Sequence, residues 1–343
     1  MARLAILARD GSFSDRWISE VRSRGVDAIV LSPYEGGLFA LVADCTAIIW
    51  HPDHERAEDL LLIAPILQSA EAAGKVTFPD FGSRWHFDDK IAQAYLLAAI
   101  GAPTPSTRVF VTRQEALDYI QTADLPLVAK LKRGAGSANV RLLRSVPEGR
   151  AYVSKAFGAG HEAVSGYFTD VRTRVTSTGS LSEMFAKLRR LPQSVMRRRA
   201  LSRAQGRERG YVLLQEFMPG NEYDVRITVI GDRAFGFRRF VRPNDFRASG
   251  SRNVDYSPEA IDSCIVQVAF TTAQKLNAGC VAIDFVTDLN GQPMIVELSF
   301  GFNPVLVERC PGYWDRRLEW HEGSQRPEEV ILDDVLARIG STT

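Results

Sequence analysis

The stretch GCVAIDFVTDLNGQPMIVELSFGFNP, residues 279–304, holds two hydrophobic runs with one carboxylate each, Asp284 and Glu297. Between them, Asn290-Gly291 is a type I′ hairpin signal, because both residues tolerate the positive φ its two central positions need. A turn centred there sets Asp284 directly opposite Glu297, with Cβ atoms about 4.5–5.5 Å apart. Like charges so placed destabilise a sheet, and a shared proton or a bound cation relieves them. Strand alternation adds Ser299 to the Glu297 face and sends Met294, Val296 and Leu298 the other way. Oxygen donors on a rigid hairpin suit Mg²⁺, which takes one or two carboxylates along with substrate phosphates. The competing reading is two solvated acids on an exposed sheet face.

Two further stretches carry charge in patterned places. LPLVAKLKRGAGSANVRLL, residues 125–143, reads as strand, small-residue loop, strand. Gly134, Gly136 and Ser137 would let backbone N–H groups approach a phosphate, and Lys130 adds a point charge. It is not a Walker A loop, since GxxxxGK[ST] is absent and a strand follows. A structural turn is an equal reading of this loop alone. YVLLQEFMPGNEYDVRITVIGDRAFGFRRFVRPNDFRASGS, residues 211–251, contains a strand ending in Gln215, Glu216, Phe217 and Met218. Glu216 and the backbone after it could meet the polar edge of an adenine, with Phe217 and Met218 on its faces. Glu222 and Asp224 follow as candidate ribose acceptors. Alternation puts Asp224 and Arg226 on one face with Glu222 and Thr228, and Val225, Ile227 and Val229 on the other. Arg226, Arg238, Arg239, Arg242 and Arg247 suit anionic substrates and a developing phosphoryl charge.

Weaker candidates have ordinary explanations. His51 and His54 bracket HPDH without a metal-ligand spacing. Gly11 to Ser14 follow the first strand, where open α/β sheets bind ligands, but Ser14 as a helix N-cap explains them equally. GYWDRRLEWHEGS, with Trp314, Trp320 and His321, reads as packing or as cover for an acceptor site. Residues 185–209 are basic, from Lys187 to Arg209. A solvated helical face is the first reading of that run, and a phosphate-bearing substrate, a nucleotide lid or RNA the others.

The elements that must position these groups follow from periodicity. Residues 3–8, 27–31, 45–50 and 76–79 read as strands, alternating with helices at 14–24 and 56–74, which implies a parallel α/β layer. The GxGxxG dinucleotide fingerprint is missing there. A helix spans about 88–100 and ends at GAPTP. Strand, helix and hairpin follow over 106–145, then a helix over 148–157. Strands at 211–217, 222–230 and 233–241, a helix over 258–277, the acid hairpin and a helix over 327–339 complete the chain. At 343 residues, 45% hydrophobic and 24% charged, the composition is that of a globular protein of two or three domains. A net charge of +1 gives no global pull toward nucleic acid or membrane. Four scattered cysteines in no zinc spacing point to reduced thiols. The first residues turn polar too soon for a signal peptide, and no apolar run reaches membrane length, so a cytoplasmic protein is expected.

The order of four motifs resembles the ATP-grasp superfamily: DDKIAQAYLLAAIGAPTP, then PLVAK with GAGS, then LLQEFMPGNEYDVRITVIGDR, then AIDF with VELS. It is similar to the branch with ribosomal-protein glutamate ligases, glutathione synthetases and D-alanine–D-alanine ligases. WHFDDKIAQ, NDFRASGS and GYWDRRLEWHEGS resemble uncharacterised members associated with bacterial surface-polysaccharide biosynthesis. The resemblance implies an α/β chain, α+β overall, with an N-terminal Rossmann-like domain over 1–86. A small ATP-grasp subdomain over 87–210 and a C-terminal one over 211–343 would follow it. It implies ATP and Mg²⁺ as cofactors, with Lys90 and Lys130 on the phosphates under a glycine loop at 133–139. Glu216 and Met218 match the adenine hinge, Asp224 or Glu222 the ribose, and Asp284 and Glu297 the metal. Ser299 stands where the family usually has Asn, so Asn303 or water is the substitute donor. Arg247 and Arg226 would hold the transferring phosphoryl group. The implied reaction joins small-molecule carboxylate and amine substrates through an acyl phosphate. Ligation to a protein or peptide tail, or a non-catalytic nucleotide sensor that binds RNA through residues 185–209, are the alternatives. A homo-oligomer is expected.

Overall fold

The computed structural model describes residues 3–53, 56–134, 139–162, 206–242, 246–247 and 253–342. Strands β1 (Leu4–Leu7), β2 (Ala28–Leu31), β3 (Ala47–Trp50) and β4 (Val76–Phe78) form a parallel sheet in the order β2-β1-β3-β4. β1 and β3 are apolar throughout because both faces are covered. Leu4, Ile6, Ala47 and Ile49 face Phe13 and Trp17 of helix Phe13–Ser23 and Val330, Ile331 and Val335 of helix Pro327–Thr342. Ala5, Leu7, Ile48 and Trp50 face Ile66 and Leu67 of helix Ala57–Ala72. The cap of the first helix is Ser12, whose side chain accepts from the Ser14 amide. Ser14 itself is buried, exchanging hydrogen bonds with the Arg9 backbone, so the N-cap expected at Ser14 lies two residues earlier.

A second, antiparallel sheet has the order β5 (Thr107–Phe110), β10 (Val212–Glu216), β6 (Leu127–Lys130), β7 (Val140–Leu143). Helices Arg113–Thr122 and Val146–Ala156 cover one face, packing on Leu127, Ala129, Leu143, Val212 and Leu214. Alternation turns Val128, Lys130 and Gln215 to the other face. β10 begins beyond residue 210 and yet hydrogen-bonds between β5 and β6. A short pair, β8 (His161–Glu162) with β9 (Arg207–Glu208), flanks the basic segment, most of which lies outside the described residues.

The third sheet runs β15 (Pro293–Ser299), β14 (Cys280–Thr287), β11 (Tyr223–Ile230), β12 (Arg233–Phe240), β16 (Gly312–Trp314), β17 (Trp320–Glu322), with β13 (Val254–Asp255) also on β12. Val225, Ile227, Val229, Val281, Ile283, Ile295 and Leu298 pack under helix Ser263–Leu276. The helix expected over 258–277 is broken: a 3₁₀ turn at Pro258–Ala260 precedes Asp262, which caps the true helix by accepting from the Cys264 amide at 2.8 Å. GYWDRRLEWHEGS supplies β16 and β17, and Trp314 packs edge-on against Trp320 in the same apolar core. Among the described residues, no helix is long and apolar enough to cross a membrane.

Candidate active site

The polar faces of the second and third sheets meet across a cleft. Val128, Lys130 and Gln215 line one wall; Asp224, Asp284 and Glu297 line the other. Glu216, Phe217, Met218 and Asn221 close one end, where the chain leaves β10 for β11. Phe217 meets Phe246 edge-on at 5.9 Å. Asn221 pins this crossing: its Nδ2 donates to the Met218 and Thr287 carbonyls, and its Oδ1 accepts from the Thr287 amide at 2.8 Å. Glu216 is exposed, and Glu222, also exposed, does not reach the cleft with the others.

The acid hairpin places Asp284 opposite Glu297, as the spacing predicts, but by a different route. Gly291 alone has positive φ, at 77°, and its amide donates to the Asp288 carbonyl. The loop is therefore three residues long, and the Asp288 side chain fixes it by accepting from the Asn290 and Gln292 amides. That shifts the pairing near the turn by one residue. A bulge between Asp284 and Phe285 on the pairing with β15 shifts it back, leaving Val296 as the extra residue. Ile295 and Leu298 enter the core, while Val296, expected on the core side, faces the cleft beside Glu297.

Asp284 is 4% exposed, so the solvated-acid reading fails. Its repulsion with Glu297 is answered by arginines from neighbouring strands. Arg226 donates to both Asp284 oxygens, at 2.6 and 2.7 Å, and Arg239 lies 2.8 Å from Oδ2. Arg239 also grips Asp224 with two hydrogen bonds, at 2.7 and 2.6 Å. Burial works against ionised Asp284, yet Arg226 and Arg239 outweigh it and hold the carboxyl far below its ordinary range. Burial raises the Asp224 carboxyl against the pull of Arg239. Two expected roles thus change. Asp224, expected at a ribose, is the partner of Arg239; Arg226, expected on a phosphoryl group, spends its fork on Asp284. Arg239 was legible only as one arginine of several; its strand register, which local sequence does not carry, makes it the centre of the network.

The lysines stand on the opposite side. Lys90 opens helix Lys90–Ala99, capped by Asp89; its Nζ donates to the Gly134 carbonyl at 2.8 Å and lies 3.5 Å from Glu297 Oε1. Lys130 ends β6 and donates to the Val296 carbonyl at 3.0 Å. Burial pulls its ammonium down to about 8, with Glu297 opposing and Lys90 adding to the shift. The Gly134 amide donates to Asp88 at 2.7 Å, and a Cβ on Gly134 would overlap the Asn139 amide, so the loop needs glycine there. Gly136 and Ser137 lie outside the described residues. Arg247 lines the cleft with its guanidinium 5.8 Å from the Phe246 ring centre. His51 stacks on Phe13 at 3.7 Å, a packing role; His54 lies outside the described residues.

The donors fit Mg²⁺ in its phosphate-sharing mode and not as a closed cage. A carboxylate offers about four lone-pair sites. Three of those on Asp284 are taken by arginine N–H groups, which leaves one beside the half-exposed carboxylate of Glu297. Ser299 does not join them: its hydroxyl donates to the Gly301 carbonyl at 2.7 Å and accepts from the Gly301 amide at 3.0 Å. Asn303 is spent as the cap of helix Pro304–Glu308, accepting from the Val305 amide. Lys90, Lys130, Arg226 and Arg239 set four positive charges against the three carboxylates Asp224, Asp284 and Glu297. That balance favours an anion that brings its cation along.

Neither a family model nor a curated protein sequence matches the chain. Solved structures do, over their full length. The RimK domain protein of ATP-grasp type from Sphaerobacter thermophilus shares 18% identity at a TM-score of 0.57, covering 98% of this chain and 100% of that one. The ATP-grasp ligase PsnB, complexed with precursor peptide PsnA2 and AMPPNP, shares 14% at 0.56, covering 99% and 98%. D-alanine–D-alanine ligase from Bacillus anthracis, complexed with ATP, shares 10% at 0.56, covering 100% and 99%. The architecture described above, a parallel N-terminal sheet followed by two antiparallel grasping sheets, is the ATP-grasp fold.

Proposed function

We propose that this chain, built on the ATP-grasp fold, is an ATP-dependent ligase that joins a carboxylate to an amine. One observation carries the reading. Two buried lysines and the carboxylates of Glu297 and Asp284 converge at one end of the cleft, and a strand-end hinge with an exposed Glu216 stands at the other. Adenine lies along Glu216, Phe217 and Met218. The phosphates run toward Lys90 and Lys130, and Glu297 with Asp284 would hold a Mg²⁺ that offsets their charge. Bound there, the ion would sharpen the electrophilicity of the γ-phosphorus. A substrate carboxylate oxygen attacks that phosphorus as its bond to the β–γ bridging oxygen breaks, giving an acyl phosphate and ADP. The amine nitrogen then attacks the acyl carbon. The C–O bond to phosphate breaks, phosphate leaves, and the nitrogen loses a proton to give the amide. The protein's work is alignment and charge neutralisation, with Arg247 on the cleft wall as the cation for the transferring group.

A small sugar acid or amino acid is the substrate proposed first. Transfer of an amino acid to a peptide tail is the second reading, supported by the likeness to PsnB, which was solved with a precursor peptide. The spent hydroxyl of Ser299 favours a non-catalytic sensor, and Glu297 facing two lysines speaks against one. The test is ADP release from Mg-ATP with pooled carboxylic acids and amines, Glu297→Gln run in parallel. Substrate-dependent ADP from the wild type alone is expected, and mass spectrometry then names the product. ADP formation that ignores both substrate and mutation would refute the ligase reading.

A further inference from the structure

The strand that carries Glu297 is an edge strand, because among the described residues β15 pairs only with β14 in its sheet. Edge strands leave a row of backbone groups without sheet partners. Here residues 93–130 take them up. The Ile295 amide donates to the Pro103 carbonyl at 2.8 Å, and Thr104 Oγ1 donates to the Ile295 carbonyl at 2.9 Å. Lys130 Nζ donates to the Val296 carbonyl. Gln93 takes both groups of Leu298: Nε2 donates to its carbonyl at 2.8 Å, and Oε1 accepts from its amide at 3.1 Å. Glu297 is therefore bracketed, with Lys130 fixing the residue before it and Gln93 the residue after.

Gln93 is 5% exposed, and its Nε2 also donates to the His86 carbonyl at 3.1 Å. Only one orientation of the amide satisfies all three partners. Gln93 follows Lys90 by three residues in helix Lys90–Ala99, so one helix face presents both. Lys90 reaches the Glu297 side chain while Gln93 grips the adjoining main chain. The bulge at Val296 makes this grip consequential, since a strand with an extra residue is not held in register by β14 alone.

We propose that Gln93 is a positioning residue, setting where Glu297 stands relative to Lys90 and Lys130 so that its carboxylate meets a Mg²⁺ delivered with nucleotide. This rests on the Mg-nucleotide reading of the cleft. The experiment is calorimetric titration of ADP, with Mg²⁺ and with EDTA, into the wild type, Gln93→Met and Thr104→Val. Thr104→Val cuts another bond to the same edge, away from the acid. The wild type binds ADP more tightly with Mg²⁺. Gln93→Met loses that advantage by about tenfold, the scale of losing a group that orients a metal ligand, with Mg-free affinity unchanged. Thr104→Val keeps the advantage. Should Gln93→Met fail to fold, Gln93→Asn, which shortens the same amide by one methylene, shows the same loss. The proposal is overturned by an unchanged Mg²⁺ advantage, by equal weakening with and without Mg²⁺, or by the same loss in Thr104→Val. A wild type with no Mg²⁺ advantage removes the reading of the cleft, and this inference with it.

Discussion

The two ends of the cleft differ in what their side chains touch. At the hinge end Glu216 is exposed and makes one 3.4 Å contact with the Ser106 amide, while Phe217 offers an edge to Phe246. At the acid end Asp224 and Asp284 are 9% and 4% exposed, and two arginines bind them with paired hydrogen bonds. Charges taken out of water are costly unless partnered, so the acid end must be assembled by the protein itself as it folds. The hinge end has no such cost and can wait for a ligand to fill it. Buried charge pairs fix the side chains at one end, while at the other Asn221 fixes the backbone and leaves the Glu216 side chain to solvent.

Breaking the acid end should therefore show first in stability. Arg239→Met strands buried Asp224 and takes one of the two arginines from Asp284, and a loss of about 3–5 kcal/mol is expected in chemical denaturation. A loss below about 1 kcal/mol would mean that the network is not structural. Arg226→Met is milder, because Asp284 keeps Arg239. A loss of about 1–3 kcal/mol is expected, with ADP formation falling more than stability does. Equal stability losses in the two variants would contradict the central place given to Arg239.

Lys130 sharpens the comparison through pH. Its ammonium titrates near 8 in the fold against 10.5 ordinarily, so between those values the unfolded chain binds the extra proton. Stability then rises with pH across that window relative to Lys130→Met, and equilibrium unfolding at several pH values reads it. Bound phosphates favour the charged lysine, so ADP affinity should fall as pH rises through about 8 in the wild type and not in Lys130→Met. A flat pH profile would place the phosphates elsewhere. The smallest stability effect is expected at the hinge. Glu216→Ala should move the unfolding midpoint by no more than about 0.5 kcal/mol while raising the KM for ATP several-fold. A large stability loss there would erase the distinction between the two ends.

The sequence carried the acids more clearly than their partners. Opposition of Asp284 and Glu297 was readable from the hairpin, although the turn is longer than Asn290-Gly291 suggests and the bulge at Val296 restores the register. Two local irregularities compensate, and neither has a signal strong enough to read alone. Alternation put Asp224 and Arg226 on one face but could not give Arg239 its place, because that depends on how β12 registers against β11. Gln93 was hidden for a similar reason: its partner Leu298 lies 205 residues away. The parallel sheet, with its uninterrupted apolar strands β1 and β3, was legible almost residue by residue. The short β13, β16 and β17 were not, because two or three residues carry no period.

The most direct test of the two-ended cleft is a crystal structure with Mg²⁺ and a non-hydrolysable ATP analogue. The expected result has adenine against Glu216, Phe217 and Met218, and phosphates between Lys90 and Lys130. The cation sits on Glu297 and the open site of Asp284, with the Asp224–Arg239–Asp284 contacts kept. An analogue bound outside the cleft, or a cation that pulls Asp284 away from Arg239, would contradict it.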